Sequence, residues 1–225
     1  ILIFIMKSFK KLGGIIGVVG CLQFVIFSTI AMFNYTGGTS WDKSAEGYTF
    51  WHNVMSDLGR TVSYSGISNT FSSTLFNSSL FIFGMSIVII YLSMKKRLSL
   101  SDNFITFIMI FGIISGLGII GVSLTPDDIL SDEHIIAVWI WILNLTTALI
   151  LIILSKIFNY DYDTILYLSF ILLFAVCIHI GQGLLGIWSP IVATTQKIVI
   201  YLNVSWYLLI SKKIIDNEFV GELKN

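Results

Sequence analysis

Charge is what this chain of 225 residues most lacks: Asp, Glu, Lys and Arg together make up 12% of it. A soluble domain usually carries roughly 25%. So little charge leaves a globule of this size without a polar coat, which excludes an ordinary soluble enzyme. Disorder is excluded from the other side, because 56% of the residues are hydrophobic and disordered chains are poor in such residues. No excess of either sign exists: 13 basic residues cancel 13 acidic ones. The basic stripe of a nucleic-acid binder is missing, so no nucleic-acid partner is expected. Cysteine is scarce too. Cys21 and Cys177 both sit in apolar runs without metal-ligand spacing, which excludes a disulfide framework. Walker, dinucleotide-binding and haem-attachment motifs are missing, and no cofactor is expected. The runs Gly13-Gly14 and Gly112 to Gly121 lie inside apolar stretches and read as helix-packing surfaces, not phosphate loops.

What is abundant is long apolar sequence, with a mean hydropathy of +0.88. A membrane span needs about 20 such residues. Six segments qualify: 12–33, 69–94, 104–124, 135–154, 164–188 and 191–211. The expected fold is all-α, a polytopic transmembrane helix bundle forming one domain over residues 1–225. Met6 is a candidate start, followed by Lys7, Lys10 and Lys11. The first apolar run exceeds the roughly 7–15 residues of a signal-peptide core. Val18-Val19-Gly20-Cys21 resembles a lipoprotein cleavage box, but the run continues as Leu22-Gln23-Phe24-Val25. An uncleaved first span is the better reading.

Basic residues set orientation. With the N-terminus inside, the inner side receives Lys7, Lys10, Lys11, Lys95, Lys96, Arg97, Lys156, Lys212, Lys213 and Lys224. The outer side receives only Lys43, Arg60 and Lys197. Both termini are therefore expected in the cytoplasm, and the protein in the cell membrane. The outer loop 34–68 is long and carries Trp41, Tyr48, Phe50 and Trp51, which suggests a lid at the interface. The second outer loop carries Asp127, Asp128, Asp132 and Glu133.

Polar residues inside spans are costly and mark candidate sites. At about 1.5 Å per residue, Asn77, Gln182, Gln196 and Lys197 lie about 9–10 Å below the outer end. His179 and Asn144 lie about 14 Å deep, and His134 stands at the mouth of span four. Asn203 is one of the few polar residues deeper still. Together these groups suggest a polar pocket open to the outside. The alternative is interhelical hydrogen bonding, worth roughly 0.6–2 kcal/mol per contact. Lys197 needs a partner, for which Asp57 and Asp127 are candidates, or else it snorkels to the interface.

One ordered set of motifs carries a resemblance. The first outer loop contains Asn53-Val54-Met55-Ser56-Asp57-Leu58-Gly59; Phe76-Asn77 follows in span two; Gly121 to Pro126-Asp127 leaves span three; His134 opens span four. Gly186-Ile187-Trp188 ends span five, and Gln196-Lys197 lies in span six. In that order the chain resembles the DUF998 family of polytopic membrane proteins, and more distantly the Frag1/DRAM type, some of which are linked to lipid handling. The resemblance implies six spans and no established activity. Lys197 stands where the family often has Arg, and Gly121 to Pro126 is one residue longer than the family spacing.

Three functions follow. In the first, the outward pocket binds a lipid headgroup or small polar ligand through Asn53, Asp57, Asn77, Asp127, His134, His179, Gln182, Gln196 and Lys197. Asp57, Asn77, Asp127, His134 and Lys197 should then converge on one pocket. In the second, an intramembrane metal-dependent hydrolase acts on lipid with Ser56, Asp57, His134 and His179. Zinc would be held by His52, His134, His179 and Asp57, an arrangement that resembles seven-span ceramidase-type hydrolases but lacks their seventh span and any His-x-x-x-His pair. In the third, the chain is a transporter or a structural subunit of a membrane complex. Membrane lipids, and other membrane subunits, are the expected partners.

Overall fold

The computed structural model describes residues 2–94, 102–187 and 189–222. Six long helices account for most of them: α1 (Leu2–Phe33), α2 (Thr70–Ser93), α3 (Asp102–Leu124), α4 (Ser131–Phe158), α5 (Thr164–Leu184) and α6 (Pro190–Glu222). All six are long and apolar enough to cross a membrane. This is the architecture of an integral multi-pass membrane protein. Among the described residues there is no strand, only an isolated bridge between Val62 and Ser68. Of the residues used to orient the chain or to match the motifs, Lys95, Lys96, Arg97, Trp188 and Lys224 lie outside the described residues.

Helix ends differ from the hydropathy boundaries for local reasons. Helix α4 starts four residues before Ile135, because Asp132 and Glu133 in its first turn face the positive end of the helix dipole. It ends at Phe158 with Lys156 in its last turn. Helix α5 stops at Leu184, short of 188. Gly186 adopts φ 63° there, while the Ile187 N–H donates to the Gln182 carbonyl at 2.9 Å, a Schellman-type ending that suits glycine. Helix α6 runs past 211 to Glu222.

The helices form a closed ring in chain order, with α6 returning to α1. Apart from the long α1–α2 loop, short connections make sequence neighbours antiparallel neighbours. Small residues let the backbones approach: a Cβ on Gly20 of α1 would lie 2.1 Å from Ser86 Oγ of α2, and one on Gly118 of α3 would lie 2.5 Å from the Trp141 nitrogen of α4. The α4–α5 seam is the loosest of the six, and Gly181 and Gly183 on α5 face open space. Phe33, Leu124, Phe174 and Leu184 point outward, as lipid-facing side chains do.

The loop 34–69 and the turn 125–130 share one end of the ring, here the loop end. At the far end Lys156, 1% exposed, pairs with Asp161 at 2.7 Å and Asp163 at 3.0 Å. Lys213 also pairs with Asp163, which in turn caps α5 by accepting from the Leu166 N–H at 3.1 Å. Partial burial works against the charge on Asp163, but these partners prevail and hold its carboxyl below the usual range. Between the ends, Tyr207 makes edge-on contacts with Trp206, Tyr91 and Phe83, at centroid distances of 5.0, 6.0 and 6.1 Å. These rings fill the far half of the ring of helices.

Candidate functional site

The loop 34–69 is a folded plug docked into the loop end. Its centre is the 3₁₀ turn Met55–Gly59, the middle of the Asn53–Gly59 motif. Asn53 is 0% exposed and organises the turn. Its Oδ1 accepts from the Thr49 N–H at 2.8 Å, and its Nδ2 donates to the Gly38 carbonyl and to Asp57 Oδ2, both at 2.9 Å. Asp57 Oδ2 also accepts from the Val54 N–H at 3.1 Å, capping the turn. Burial pushes the Asp57 carboxyl up to about 6, although the Asn53 bond and the Arg60 charge pull the other way.

Two helices grip this plug. From α6, Gln196 Oε1 accepts from the Met55 N–H at 2.7 Å. Lys197, 2% exposed, donates to the Asn53 carbonyl and, at 3.3 Å, to its own helix at Ala193. Its ammonium lies 5.4 Å from the Tyr48 ring centre and 5.0 Å from that of Phe50, a cation–π setting. Among the described residues neither Asp57 nor Asp127 forms an ion pair with it. From α2, Ser72 donates to the Leu58 carbonyl at 3.2 Å, and Ser73 and Asn77 donate to the Gly59 carbonyl at 3.2 and 3.0 Å. A Cβ on Gly59 would lie 2.4 Å from Asn77 Oδ1, so glycine is what allows this approach. Asn69, 1% exposed, donates to the Leu58 and Arg60 carbonyls at 3.2 and 2.9 Å.

The turn after α3 secures the last side. Arg60 pairs with Asp127 at 2.7 Å and stacks over Tyr64 at 4.2 Å. The Asp128 carboxylate accepts from the Thr61 N–H at 3.0 Å, the Thr61 hydroxyl at 2.6 Å and the Val62 N–H at 2.9 Å. Partial burial opposes its charge, but these bonds prevail and hold the carboxyl below the usual range.

Beneath the plug lies a central cavity of about 70 Å³ whose lining comes from all six helices and the 3₁₀ turn. Its walls are apolar: Phe24, Leu80, Phe83, Ile119, Val138 and Ile200. Six polar side chains also line it. Ser56, His134, His179 and Gln196 stand nearer the loop end; Trp141 and Asn203 stand deeper. Among the described residues no Lys or Arg lines it.

Hydrogen bonding fixes both histidine tautomers. His134 Nδ1 lies 2.6 Å from the Thr125 carbonyl, which only accepts, so Nδ1 carries the proton. His179 Nδ1 lies 3.2 Å from Thr195 Oγ1. That hydroxyl donates to Gln182 Oε1 at 2.6 Å, so His179 again donates from Nδ1. With Nδ1 protonated, a neutral ring has Nε2 as its acceptor.

The expected site residues therefore fall into two layers. Asn53, Asp57, Asn77, Asp127 and Lys197 hold the plug. His134, His179 and Gln196 line the cavity with Ser56, and Gln182 stands behind it, bonded to Thr195, which bonds His179. Gln196 belongs to both layers. The five residues expected on one pocket do not share one, because their polar atoms are taken up by loop backbone and by Arg60. Asn144 donates within its own helix, to Ile140 at 2.7 Å. Among the described residues, no group of three His, Cys, Asp or Glu is placed to hold a metal. His52 lies apart from the other histidines, in a small surface pocket with Trp41 and Tyr64.

Asn69, Arg60, Thr195 and Trp141 were not among the expected residues. Asn69 had a legible signal, a polar residue directly ahead of an apolar helix. Trp141 had none, because its indole sits in an apolar run. No family model matches this chain, and no curated protein or solved structure is significantly similar to it.

Proposed function

We propose that this protein binds a slender, uncharged ligand, a lipid or a small polar molecule, in the central cavity, with the loop 34–69 as its lid. The observation that carries this reading is the convergence of every helix and the docked loop on one apolar-walled cavity with a few polar groups. Ligand sites are built this way. A charged lipid headgroup is disfavoured, because Arg60 and Lys197 are engaged in the plug and the lining holds no cation. The ten basic residues assigned to one side support a cytoplasmic location for both termini. The cavity then reaches from the outer side of the cell membrane to about its middle, where Asn203 stands. The motif order supports a place in the DUF998 family. Membrane lipids are the nearest source of ligand, and other membrane subunits are further candidate partners.

A lipid hydrolase is the second reading, since Ser56, His134 and His179 line one cavity. Catalysis would need a nucleophile bonded to its base. The ring nitrogens that make bonds instead meet Thr125 and Thr195, and Asp57 faces the plug. Zinc would require ligands that the fold keeps apart. A transport path would have to cross the packed rings of Tyr91, Trp206 and Tyr207. Binding is thus the better-supported activity.

The test is extraction and mass spectrometry of molecules that co-purify with the full chain. Val138→Phe, which fills the cavity, serves as the comparison. A stoichiometric neutral molecule that is lost in the folded Val138→Phe protein supports the proposal. The same molecules on both proteins, or none on either, overturn it.

A further inference from the structure

The deep end of the cavity carries polar groups that the protein itself leaves unsatisfied. Asn203 is 1% exposed, yet among the described residues neither its Oδ1 nor its Nδ2 has a hydrogen-bond partner. Trp141 Nε1 is buried and unpartnered as well. Both side chains line the cavity. Buried polar atoms are paired in more than about 90% of cases, and an orphaned amide in an apolar surrounding is expensive. Three of the four polar groups at the other end differ. His134, His179 and Gln196 each have a protein partner.

The orphans have a definite chemistry. Asn203 offers two N–H donors and one carbonyl acceptor, and Trp141 offers one N–H donor. A group that satisfies them accepts on one oxygen and donates from a neighbouring atom. A carboxamide does this, and so does a protonated carboxylic acid. A carboxylate or phosphate does not, because no cation lines the cavity to balance its charge. Position on the helices gives the rest of the molecule. Asn203 lies about 20 Å from the start of α6, and Gln196 about 9 Å. About 10 Å separates the two polar layers along α6, close to the length of a seven-carbon chain, and the wall is apolar, with Phe24, Leu80, Ile119, Val138 and Ile200 among its residues. A cavity of about 70 Å³ drawn out over that length is a narrow bore. It suits a single alkyl chain and not a ring or a branched headgroup.

We infer that the cavity selects a single-chain amphiphile with a neutral carboxamide or protonated carboxyl head, seated head-down on Asn203 and Trp141 with its chain running toward the lid. This rests on the binding function proposed above and names its ligand class. The loose α4–α5 seam beside Trp141, Val138 and His179 is the route by which such a molecule enters from the bilayer.

Radiolabelled octanamide, bound to the full chain in nanodiscs and read by scintillation proximity, tests this. Octane, octylammonium and octanoate at pH 8 serve as competitors. Octanamide should bind at least about tenfold more tightly than any of them. Asn203→Leu should fold and remove that preference, so that octane competes as well as octanamide, and Trp141→Phe should weaken it in part. If octane competes equally in the wild type while Val138→Phe abolishes binding, the cavity binds a chain without reading its head, and the inference fails while the proposed function stands. If Val138→Phe leaves octanamide binding unchanged, both fail. A preference that survives in Asn203→Leu also overturns the assignment.

Discussion

Asn53→Leu is the substitution that separates the lid from the bundle most sharply. The leucine keeps the branched outline and removes three side-chain hydrogen bonds, to Thr49, Gly38 and Asp57. The Thr49 N–H and Gly38 carbonyl then lose these partners, and the Asp57 carboxylate loses one of its two donors. Each unsatisfied buried group costs about 1–3 kcal/mol. The three share one network and do not add fully, so about 3–5 kcal/mol is expected for docking of the loop. At 1.4 kcal/mol per tenfold, the open population rises by roughly 10² to 4 × 10³. The helices lose nothing directly, because their packing involves other residues. Hydrogen exchange in nanodiscs reads both parts at once. Amides of residues 38–60 should lose about 100-fold or more of their protection while those of α2 and α3 keep theirs. Unchanged loop protection would refute the claim that Asn53 organises the plug. A collapse of helix protection would refute the claim that the plug is a separable unit.

Other outcomes follow from the same contacts. Asp57 holds its proton to about 6 in the fold against about 3.9 in an unfolded chain. Its contribution to stability is therefore full below about pH 4 and lost as pH rises to about 6. The melting-temperature difference between wild type and Asp57→Asn should change over that window and flatten above it; a difference that stays constant from pH 4 to 7 would contradict the burial of this carboxyl. Gly59→Ala forces Asn77 off the Gly59 carbonyl and should cost about 1–3 kcal/mol by chemical denaturation, whereas wild-type stability would show that the close approach is not needed. Asn203→Leu removes two orphaned polar atoms and should stabilise the ligand-free protein by about 1–3 kcal/mol; a loss of stability would mean that the amide is paired. The Arg60–Asp127 pair is 16% and 29% exposed, so a double-mutant cycle should return a coupling of only about 1 kcal/mol.

The six spans were legible because membrane insertion imposes a length and a hydropathy that composition alone reveals. Asp132 and Glu133 looked like part of an acidic loop, and the fold makes them the first turn of α4. The loop motif was legible as a set of special residues but not as a structure. Asn53, Asp57 and Asn77 bond to backbone groups of the loop, and Asp128 reaches across 67 residues to Thr61. Such pairings have no period for a sequence to display. Lys197 shows the difficulty best. Its charge called for a carboxylate, but the fold supplies a backbone carbonyl and two aromatic faces, which no spacing encodes. Asn203 was visible as a polar residue in a span. Its importance comes from what surrounds it, an apolar bore in which nothing answers its amide.

A density map of the full chain in its native lipids bears most directly on the central claim. The loop 34–69 should be docked at the loop end through Gln196 and Lys197, with an elongated density beneath it along Leu80, Ile119 and Ile200. That density should end within hydrogen-bond distance of Asn203 and Trp141. A collapsed cavity with the Asn203 amide bonded to another helix, or a loop standing away from α6, would contradict it.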